Sequence, residues 1–213
     1  NVNNRELPPW VFNSPIEEPL PPVTLVPSHS SNENPVIISP LQNNDEDCFK
    51  RGHIIHRLLQ TLPDLEPEKR GLATKKFLDR NIYSLTSVDK EEITREVLSV
   101  INHIEFSPIF GSGSRAEVSL TGMVGKKIIS AQLDRLLVTE KQVFVIDFKT
   151  NRPPPKSPDQ VDEGYLRQMA AYRITIQNIY PDKEVKCALL WTVGAHLMEL
   201  EPERLLKYEL KII

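Results

Sequence analysis

Residues 128–149 read IISAQLDRLLVTEKQVFVIDFK, and this stretch decides the fold. Its two apolar runs are separated only by residues 139–142, a connection too short for anything but a β-hairpin. The run 143–146 is apolar throughout, which is typical of a strand buried on both faces. The stretch therefore predicts two antiparallel strands, 128–138 and 143–149, in the interior of a sheet.

The hairpin brings two acidic residues together. If the turn is symmetric about the boundary between residues 140 and 141, Asp134 lies opposite Asp147 on one face of the sheet. The Cβ atoms of such partners are roughly 4.5–5.5 Å apart. Lys149 lies two residues beyond Asp147, so the period of the strand turns it to the same face. This arrangement depends on the register, because a slip by one residue would separate the side chains.

The acidic pair has two interpretations. Facing carboxylates in apolar surroundings are tolerated when one is protonated or when a cation lies between them, and oxygen ligands suit Mg²⁺ or Mn²⁺. With Lys149 beside them they fit phosphodiester hydrolysis, in which a metal activates water and an ammonium group stabilises developing charge. Alternatively, Asp147 and Lys149 form a structural salt bridge and Asp134 is solvated at a strand edge. The residues alone favour the two interpretations about equally.

The flanking sequence predicts an α/β domain. Apolar residues recur at helical spacing over 52–62, and residues 66–80, 89–104 and 159–180 are also predicted to be helical, with Asp89 as a candidate N-cap. Residues 116–120 alternate like a strand, and 186–193 read as another buried strand. The order αβββαβ predicts a central mixed β-sheet flanked by helices.

Composition limits the classes of protein that fit. The 213 residues are 39% hydrophobic, enough for one sizeable core, and the net charge of -3 gives no general sign of nucleic-acid binding. No apolar run approaches the ~18 residues of a membrane span. A Gly-x-x-x-x-Gly-Lys-Ser/Thr phosphate loop does not occur, so ATP binding is not expected. Cys48 and Cys187 are too few for an iron–sulfur cluster, and a reducing, cytoplasmic setting is expected.

The N-terminal part differs from the rest of the chain in amino-acid composition. Residues 1–41 contain nine of the 18 prolines, with many Asn and Ser residues. Such a composition predicts an extended linker. We therefore divide the chain into a proline-rich linker, residues 1–47, and one domain, residues 48–213. Since the chain begins with Asn, it is expected to be a fragment of a longer protein.

Five short patterns carry a resemblance to a known family. They are Gly52-His53-Ile54-Ile55-His56-Arg57-Leu58-Leu59, Ala116-Glu117-Val118, Gln132-Leu133-Asp134-Arg135, Val145-Ile146-Asp147-Phe148-Lys149-Thr150 and Tyr165-Leu166-Arg167-Gln168-Met169-Ala170-Ala171-Tyr172. In their order and spacing the chain resembles the RecB-like nucleases of the PD-(D/E)xK superfamily over roughly residues 48–200. The likeness is strongest to the C-terminal nuclease domains of AddA, a subunit of the bacterial AddAB helicase–nuclease.

The resemblance implies a restriction-endonuclease-like core and an Mg²⁺- or Mn²⁺-dependent deoxyribonuclease of exonuclease type. It implies a role in double-strand break repair and recombination, with a DNA single strand or duplex end as the substrate. The implied partners are helicase domains of the same parent chain and an AddB-like subunit, in the bacterial cytoplasm at the nucleoid. Relatives of AddB add a four-cysteine iron–sulfur cluster, which this chain cannot build.

The resemblance also assigns roles to residues of the site. The metal ligands would be His56, Asp134, Asp147 and the backbone carbonyl of Phe148. Lys149 would be the catalytic lysine. Judged by itself, a lone histidine beside an apolar helical stripe, such as His56, is more often an ordinary core or surface residue.

Supporting residues follow in the same way. Glu117 would be an additional acid near the metal, although by itself it reads as an exposed residue of an amphipathic strand. Gln168 and Tyr172 match a Gln-x-x-x-Tyr motif that contacts DNA or supports the lysine, with Tyr165 near the same helix face; ordinary helix packing is the alternative. Two arginines next to the site, Arg135 and Arg152, are expected to hold phosphates, although a solvated charged face explains them almost as well.

Overall fold

A six-stranded mixed sheet forms the centre of the protein. The computed structural model describes residues 23–27, 45–210 and 212. The strands are β1 (Val23–Leu25), β2 (Ser114–Val124), β3 (Lys127–Val138), β4 (Gln142–Lys149), β5 (Glu184–Trp191) and β6 (His196–Leu200). The helices are α1 (Asp45–Thr61), α2 (Pro67–Leu78), α3 (Ser87–Ile101), α4 (Ser107–Phe110), α5 (Glu163–Ile179) and α6 (Pro202–Glu209). The predicted class, a mixed sheet flanked by helices, is confirmed.

The helices cover the two faces of the sheet with two separate apolar cores. On one face α5 and α6 pack against side chains such as Leu133, Val145 and Leu189. On the other face α1, α3 and α4 pack against Ile146 and Leu190. Strands β4 and β5 are buried on both faces for this reason, which explains their continuous apolar sequence.

Strand β3 has an unusual set of neighbours. It pairs with antiparallel β2 along nearly its whole length. Its other edge is shared, because parallel β1 pairs with residues 127–129 and antiparallel β4 pairs with residues 135–138. Between these two partners, strand β3 has an edge to which no described strand is paired over residues 130–134. This opening in the sheet is where the predicted site residues lie.

The predicted hairpin register is confirmed. Leu136 pairs with Val145 and Val138 with Val143, which is the symmetry assumed from the sequence. In the turn, the backbone N–H of Thr139 donates to the Gln142 carbonyl at 2.8 Å, and the Gln142 N–H donates to the Thr139 hydroxyl at 3.0 Å. The threonine side chain thus replaces a backbone acceptor and fixes the turn.

Several elements differ from the sequence-based prediction. Helix α3 has Thr86 as its N-cap, and Asp89 completes a capping box from within the first turn. This geometry satisfies two free amides, where an Asp89 cap would satisfy fewer. The long helix begins at Glu163, after Asp162 accepts a hydrogen bond from the Gly164 N–H. Strand β6 and helix α6 were not predicted.

The proline-rich lead-in also contains structure that its composition did not indicate. Residues 23–25 form a strand that pairs in parallel with residues 127–129. The free edge of β3 supplies the backbone partners that let these residues become a strand. The predictions for 1–22 and 28–44 lie outside the described residues. No helix of the described part is both long and apolar enough to cross a membrane.

Gly122 permits the close contact between β2 and α5. A Cβ atom at Gly122 would lie 2.6 Å from Cγ2 of Thr175, which is buried and whose hydroxyl donates to the Ala171 carbonyl. We expect Gly122→Ala to lower the free energy of unfolding by about 1–3 kcal/mol, because the stiff threonine cannot move aside. In a Thr175→Ser background, which lacks the methyl group, most of this loss should disappear. Urea unfolding of the double-mutant cycle measures both; an equal loss in the two backgrounds would contradict the steric explanation.

Candidate active site

The site begins where β3 and β4 separate. Their last paired residues are Arg135 and Ile146, and one further step along the same register places Asp134 opposite Asp147. The backbone N–H of Phe148 donates to Oδ2 of Asp134 at 2.7 Å. An aspartate side chain thus binds an amide of the neighbouring strand just beyond the last ladder pair. The two acids therefore lie side by side at the mouth of the opening.

A third acid lies in the same row. In the β2–β3 ladder Ala116 pairs with Arg135 and Val118 pairs with Leu133, so Glu117 occupies the position opposite Asp134. Glu117 has a φ of 52°, in the left-handed region that a non-glycine residue rarely adopts. The ladder is interrupted at this one step. The local strain turns the strand at the point where it approaches the other two acids.

Asp147 is the most enclosed of the three acids. Its Oδ2 lies 2.7 Å from Nζ of Lys149, and its Oδ1 accepts a hydrogen bond from the side-chain amide of Gln168 at 3.2 Å. Burial raises the pKa of Asp147, the charge of Lys149 counteracts this, and the charge of Asp134 raises it again. The repulsion between the two aspartates that the sequence predicted is therefore present.

Lys149 is held from three sides. Besides Asp147, its Nζ donates to Oε1 of Gln168 at 3.1 Å and lies 3.9 Å from the centre of the Tyr165 ring. Burial lowers the pKa of Lys149, but Asp147 outweighs it and the net shift is upward, so the ammonium stays charged. A buried ammonium with one carboxylate, one amide oxygen and one aromatic face is positioned with little freedom.

Gln168 and Tyr172 occupy one face of α5, as their four-residue spacing predicted. The Gln168 amide nitrogen lies 2.7 Å from the Tyr172 hydroxyl, and that hydroxyl donates to the backbone carbonyl of Gln132 at 3.5 Å. Gln132 belongs to the segment of β3 that faces the opening in the sheet. Helix α5 therefore connects the lysine of one strand to the free edge of the other.

His56 approaches from the opposite side, on α1. Its Nδ1 lies 3.2 Å from Oδ1 of Asp134, and its ring contacts the Phe148 ring edge to face at 5.7 Å between centroids. Burial lowers the pKa of His56, but the hydrogen bond and charge of Asp134 prevail and the net shift is upward. Four residues earlier, a Cβ at Gly52 would lie 3.2 Å from the Thr150 hydroxyl. The glycine lets α1 approach the end of β4 closely enough for His56 to reach the acid.

The donor atoms fit a hard divalent cation. The carboxylates of Glu117, Asp134 and Asp147 share the site with one ammonium and one imidazole. Burial raises the pKa of Glu117 and the charge of Asp134 raises it further, whereas His56 and Arg57 lower it, and the net shift is upward. Carboxylates with one imidazole and a nearby backbone carbonyl are ligands that Mn²⁺ and Mg²⁺ accept.

The same side chains are engaged with one another in this structure. Asp134 contacts His56 and the Phe148 amide, whereas Asp147 contacts Lys149 and Gln168. Within the described ranges, no group of three or more His, Cys, Asp or Glu side chains is arranged as a metal site. An ion would exchange these internal contacts for its own.

Two arginines predicted to hold phosphates are placed elsewhere. Arg135 is only 3% exposed, donates to the Leu59 carbonyl at 3.1 Å and stacks on Phe110. Buried between the Leu59 carbonyl of α1 and the Phe110 ring of α4, Arg135 supports the packing of these helices and is not open to a DNA phosphate. Arg152 is partly exposed, but its guanidinium binds Glu96 at 2.8 Å and Glu92 at 3.1 Å. A phosphate would have to compete with these two carboxylates for Arg152, and its role in phosphate binding stays a prediction.

Sequence reasoning missed a second buried acid. Glu96 on α3 is 8% exposed and contacts Thr192, at the end of β5, through its Oε1. A signal for it exists in the sequence, because Glu96 falls within the helical stripe that contains Ile93, Val97 and Val100. A charged residue in an apolar stripe is rarely buried without partners.

The fold and the site together define an α/β domain whose acids and lysine meet at an opening in its sheet. The sequence model of one protein family, the PD-(D/E)XK nuclease superfamily, matches residues 39–209 of the chain. The chain therefore belongs to the PD-(D/E)XK nuclease superfamily. No curated protein matches it. Of the solved structures, 31 chains match. One, described as "Crystal structure of SSO0001", is 13% identical with a TM-score of 0.32, covering 76% of this chain and 83% of that chain.

The raised pKa of Glu117, caused by burial and by the charge of Asp134, predicts a pH-dependent change in stability. Because the folded-state pKa of Glu117 is raised, its charged form destabilises the fold at pH 7, and the effect vanishes once the pH falls below the ordinary glutamate value. We expect Glu117→Gln to raise the free energy of unfolding at pH 7 by less than about 1 kcal/mol, since solvent screens this partly exposed group. Below pH 4 the two proteins should be equally stable.

The measurement is urea unfolding at several pH values. Glu199→Gln on β6 is the matched control, because it removes the same charge from an exposed position far along the sheet. A gain of the same size in both variants would mean that general charge, and not the site, is responsible.

Proposed function

We propose that this domain is a metal-dependent nuclease that hydrolyses DNA phosphodiester bonds at the acidic row. Asp134, Asp147, His56 and the backbone carbonyl of Phe148 would hold Mg²⁺ or Mn²⁺, with Glu117 as an additional acid beside it. The observation that carries the proposal is the placement of Lys149, whose ammonium is fixed by Asp147 and Gln168 at the edge of the acid pair.

The residues divide the chemical work between them. A bound divalent ion would supply charge to polarise the phosphate and lower the pKa of a water molecule. Lys149 remains charged in its buried position and offers N–H donors to a water molecule or a phosphate oxygen. Gln168 keeps the lysine in place, and Tyr172 keeps Gln168 in place. The ordered donors lower the reorganisation needed when negative charge develops.

We further propose the biological setting that the five sequence patterns imply. The domain would be the exonuclease-type unit of a helicase–nuclease of the RecB-like, AddA type, and would process DNA ends during double-strand break repair and recombination. Helicase domains of the parent chain and an AddB-like subunit would deliver a single strand or a duplex end.

A second candidate is a non-catalytic domain on the same fold that binds DNA or a partner subunit. The observation favouring it is that both aspartates are already paired, one with His56 and one with Lys149. The strained Glu117 argues against it, because a purely structural salt bridge does not need a third acid whose pKa is raised by burial and by the charge of Asp134. The two functions differ in whether metal binding and cleavage depend on the same residues.

The first test is cleavage of labelled single-stranded and duplex DNA with Mg²⁺ or Mn²⁺. Asp134→Asn, Asp147→Asn and Lys149→Met should each lower kcat by about 100-fold or more, because each removes a charge that acts on the reacting phosphate. EDTA should abolish cleavage. Asp159→Asn is the control, since this exposed aspartate pairs only with Arg204 on the surface.

Metal binding separates the two candidates if the domain needs its partners for turnover. Titration calorimetry with Mn²⁺ should show binding that is lost in Asp134→Asn and kept in Lys149→Met. DNA binding that survives in all three variants, without metal binding or cleavage by the parent protein, would establish the non-catalytic domain.

Tyr165 allows a graded test of the lysine. Its ring lies 3.9 Å from the ammonium and its hydroxyl donates to Asn151 at 3.1 Å. Tyr165→Phe keeps the aromatic face and should leave kcat within about threefold, whereas Tyr165→Leu should lower it by about tenfold, in line with a cation–π contact of 0.5–2 kcal/mol. Equal effects in both variants would assign the role to the hydroxyl instead of the ring.

A further inference from the structure

Glu96 is a buried carboxylate that the proposed chemistry does not use. It lies on α3 between Ile93 and Val97, which both point into the apolar core. Its side chain is only 6% exposed. A charged group in this position is costly unless it is fully hydrogen-bonded, so its partners should reveal its role.

The partners come from three separate segments of the chain. Oε2 of Glu96 accepts hydrogen bonds from Arg51 on α1 and, at 2.8 Å, from Arg152 in the loop that follows β4. Oε1 accepts a hydrogen bond from the hydroxyl of Thr192 at the end of β5. Burial raises the pKa of Glu96, but the two arginines and the threonine outweigh it, so that the net shift is downward and the carboxylate stays charged.

Two of these segments, the end of β5 and the loop after β4, adjoin the proposed catalytic lysine. The backbone N–H of Thr192 donates to the carbonyl of Lys149 at 2.9 Å, and the Thr192 hydroxyl lies 3.3 Å from the same carbonyl. Arg152 follows Lys149 by three residues. The Glu96 carboxylate therefore fixes the end of strand β4 through one neighbour on β5 and through the loop that leaves it.

The third segment carries the proposed histidine ligand. Arg51 precedes Gly52, where an added Cβ atom would lie 3.2 Å from the Thr150 hydroxyl, and His56 follows one turn later on the same helix. The ion pair between Arg51 and Glu96 thus holds α1 at the end of β4. A single carboxylate connects the helix that presents His56 to the strand that presents Lys149.

We propose that Glu96 is a positioning residue, which sets the placement of His56 relative to Lys149 by joining α1, the end of β4 and the end of β5. The proposal rests on the proposed nuclease function for its effect on turnover, but its structural part stands independently. A displacement of the reacting groups by about 1 Å can lower a rate by about 100-fold, so a residue that never touches DNA can control kcat.

The protein contains a matched ion pair for comparison. Glu209 on α6 is 5% exposed and binds Arg173 at 2.6 Å, which joins α6 to α5. It resembles Glu96 in burial and in having an arginine partner, but it has no hydrogen bond to the Lys149 segment. Glu209→Gln therefore reports the cost of losing a buried carboxylate without moving the site.

The experiment compares Glu96→Gln, Thr192→Val, Thr192→Ser and Glu209→Gln. For each we would measure thermal unfolding, kcat and KM for DNA cleavage with Mn²⁺, and amide hydrogen exchange at Thr192 and Phe148. Glu96→Gln should lower kcat by about tenfold or more with KM within about twofold, and should speed exchange at both amides. Thr192→Val, which removes the hydroxyl, should show a smaller effect of the same kind. Thr192→Ser, which keeps the hydroxyl, should behave like the unaltered protein.

The control defines what would overturn the proposal. Glu209→Gln should lower thermal stability by a similar amount and leave kcat and both exchange rates unchanged. Unaltered exchange at Thr192 and Phe148 in Glu96→Gln, or an equal loss of kcat in Glu209→Gln, would sink the positioning role. Faster exchange in Glu96→Gln would support the positioning role of Glu96. If the unaltered protein at the same time neither binds Mn²⁺ nor cleaves DNA, the nuclease function would be rejected while the positioning role stands.

Discussion

The separation of β3 from β4 is the constraint on which the rest of the site depends. Up to Arg135 and Ile146 the two strands satisfy each other's backbone groups, and beyond that pair side chains take part in the bonding. Asp134 binds the Phe148 amide, and the Tyr172 hydroxyl binds the Gln132 carbonyl. An unpaired backbone group is costly where it is buried, and these side chains supply partners for two backbone groups beside the opening. The same side chains thereby become fixed around a common space.

The charges inside this space are only partly balanced. Asp147 pairs with Lys149 and Asp134 with His56, and burial together with the charge of Asp134 raises the pKa of both Glu117 and Asp147. The left-handed backbone at Glu117 adds strain in the same place. Such local costs are typical of functional sites, where the surrounding fold holds groups in an arrangement that they would not adopt alone. The Glu96 network extends this support to the opposite side of β4.

Predictions made from local sequence patterns and assignments made by resemblance concerned different parts of the protein. The hairpin and its register followed from apolar runs and a four-residue turn, because both are local properties of the chain. His56, Gln168 and Tyr172 were assigned only by resemblance, since the residues alone favoured an ordinary core or surface role for each of them. The structure brings them to the acids, whereas Arg135, which is adjacent to Asp134 in sequence, is turned into the core.

The sequence by itself determined the hairpin of β3 and β4 and its register, and therefore which two aspartates lie opposite one another with a lysine one pleat further. Only the tertiary structure decided where β1 would pair, because its partner is an edge of β3 left free by β4. Only the tertiary structure joined Glu96 to Thr192, residues that are far apart in the chain and carry no shared local signal. The physical reason is the range of the interactions. Hydrophobic periodicity and turn chemistry act over a few residues, whereas the partners of a buried charge are chosen by whichever segments the packed core brings within hydrogen-bonding distance.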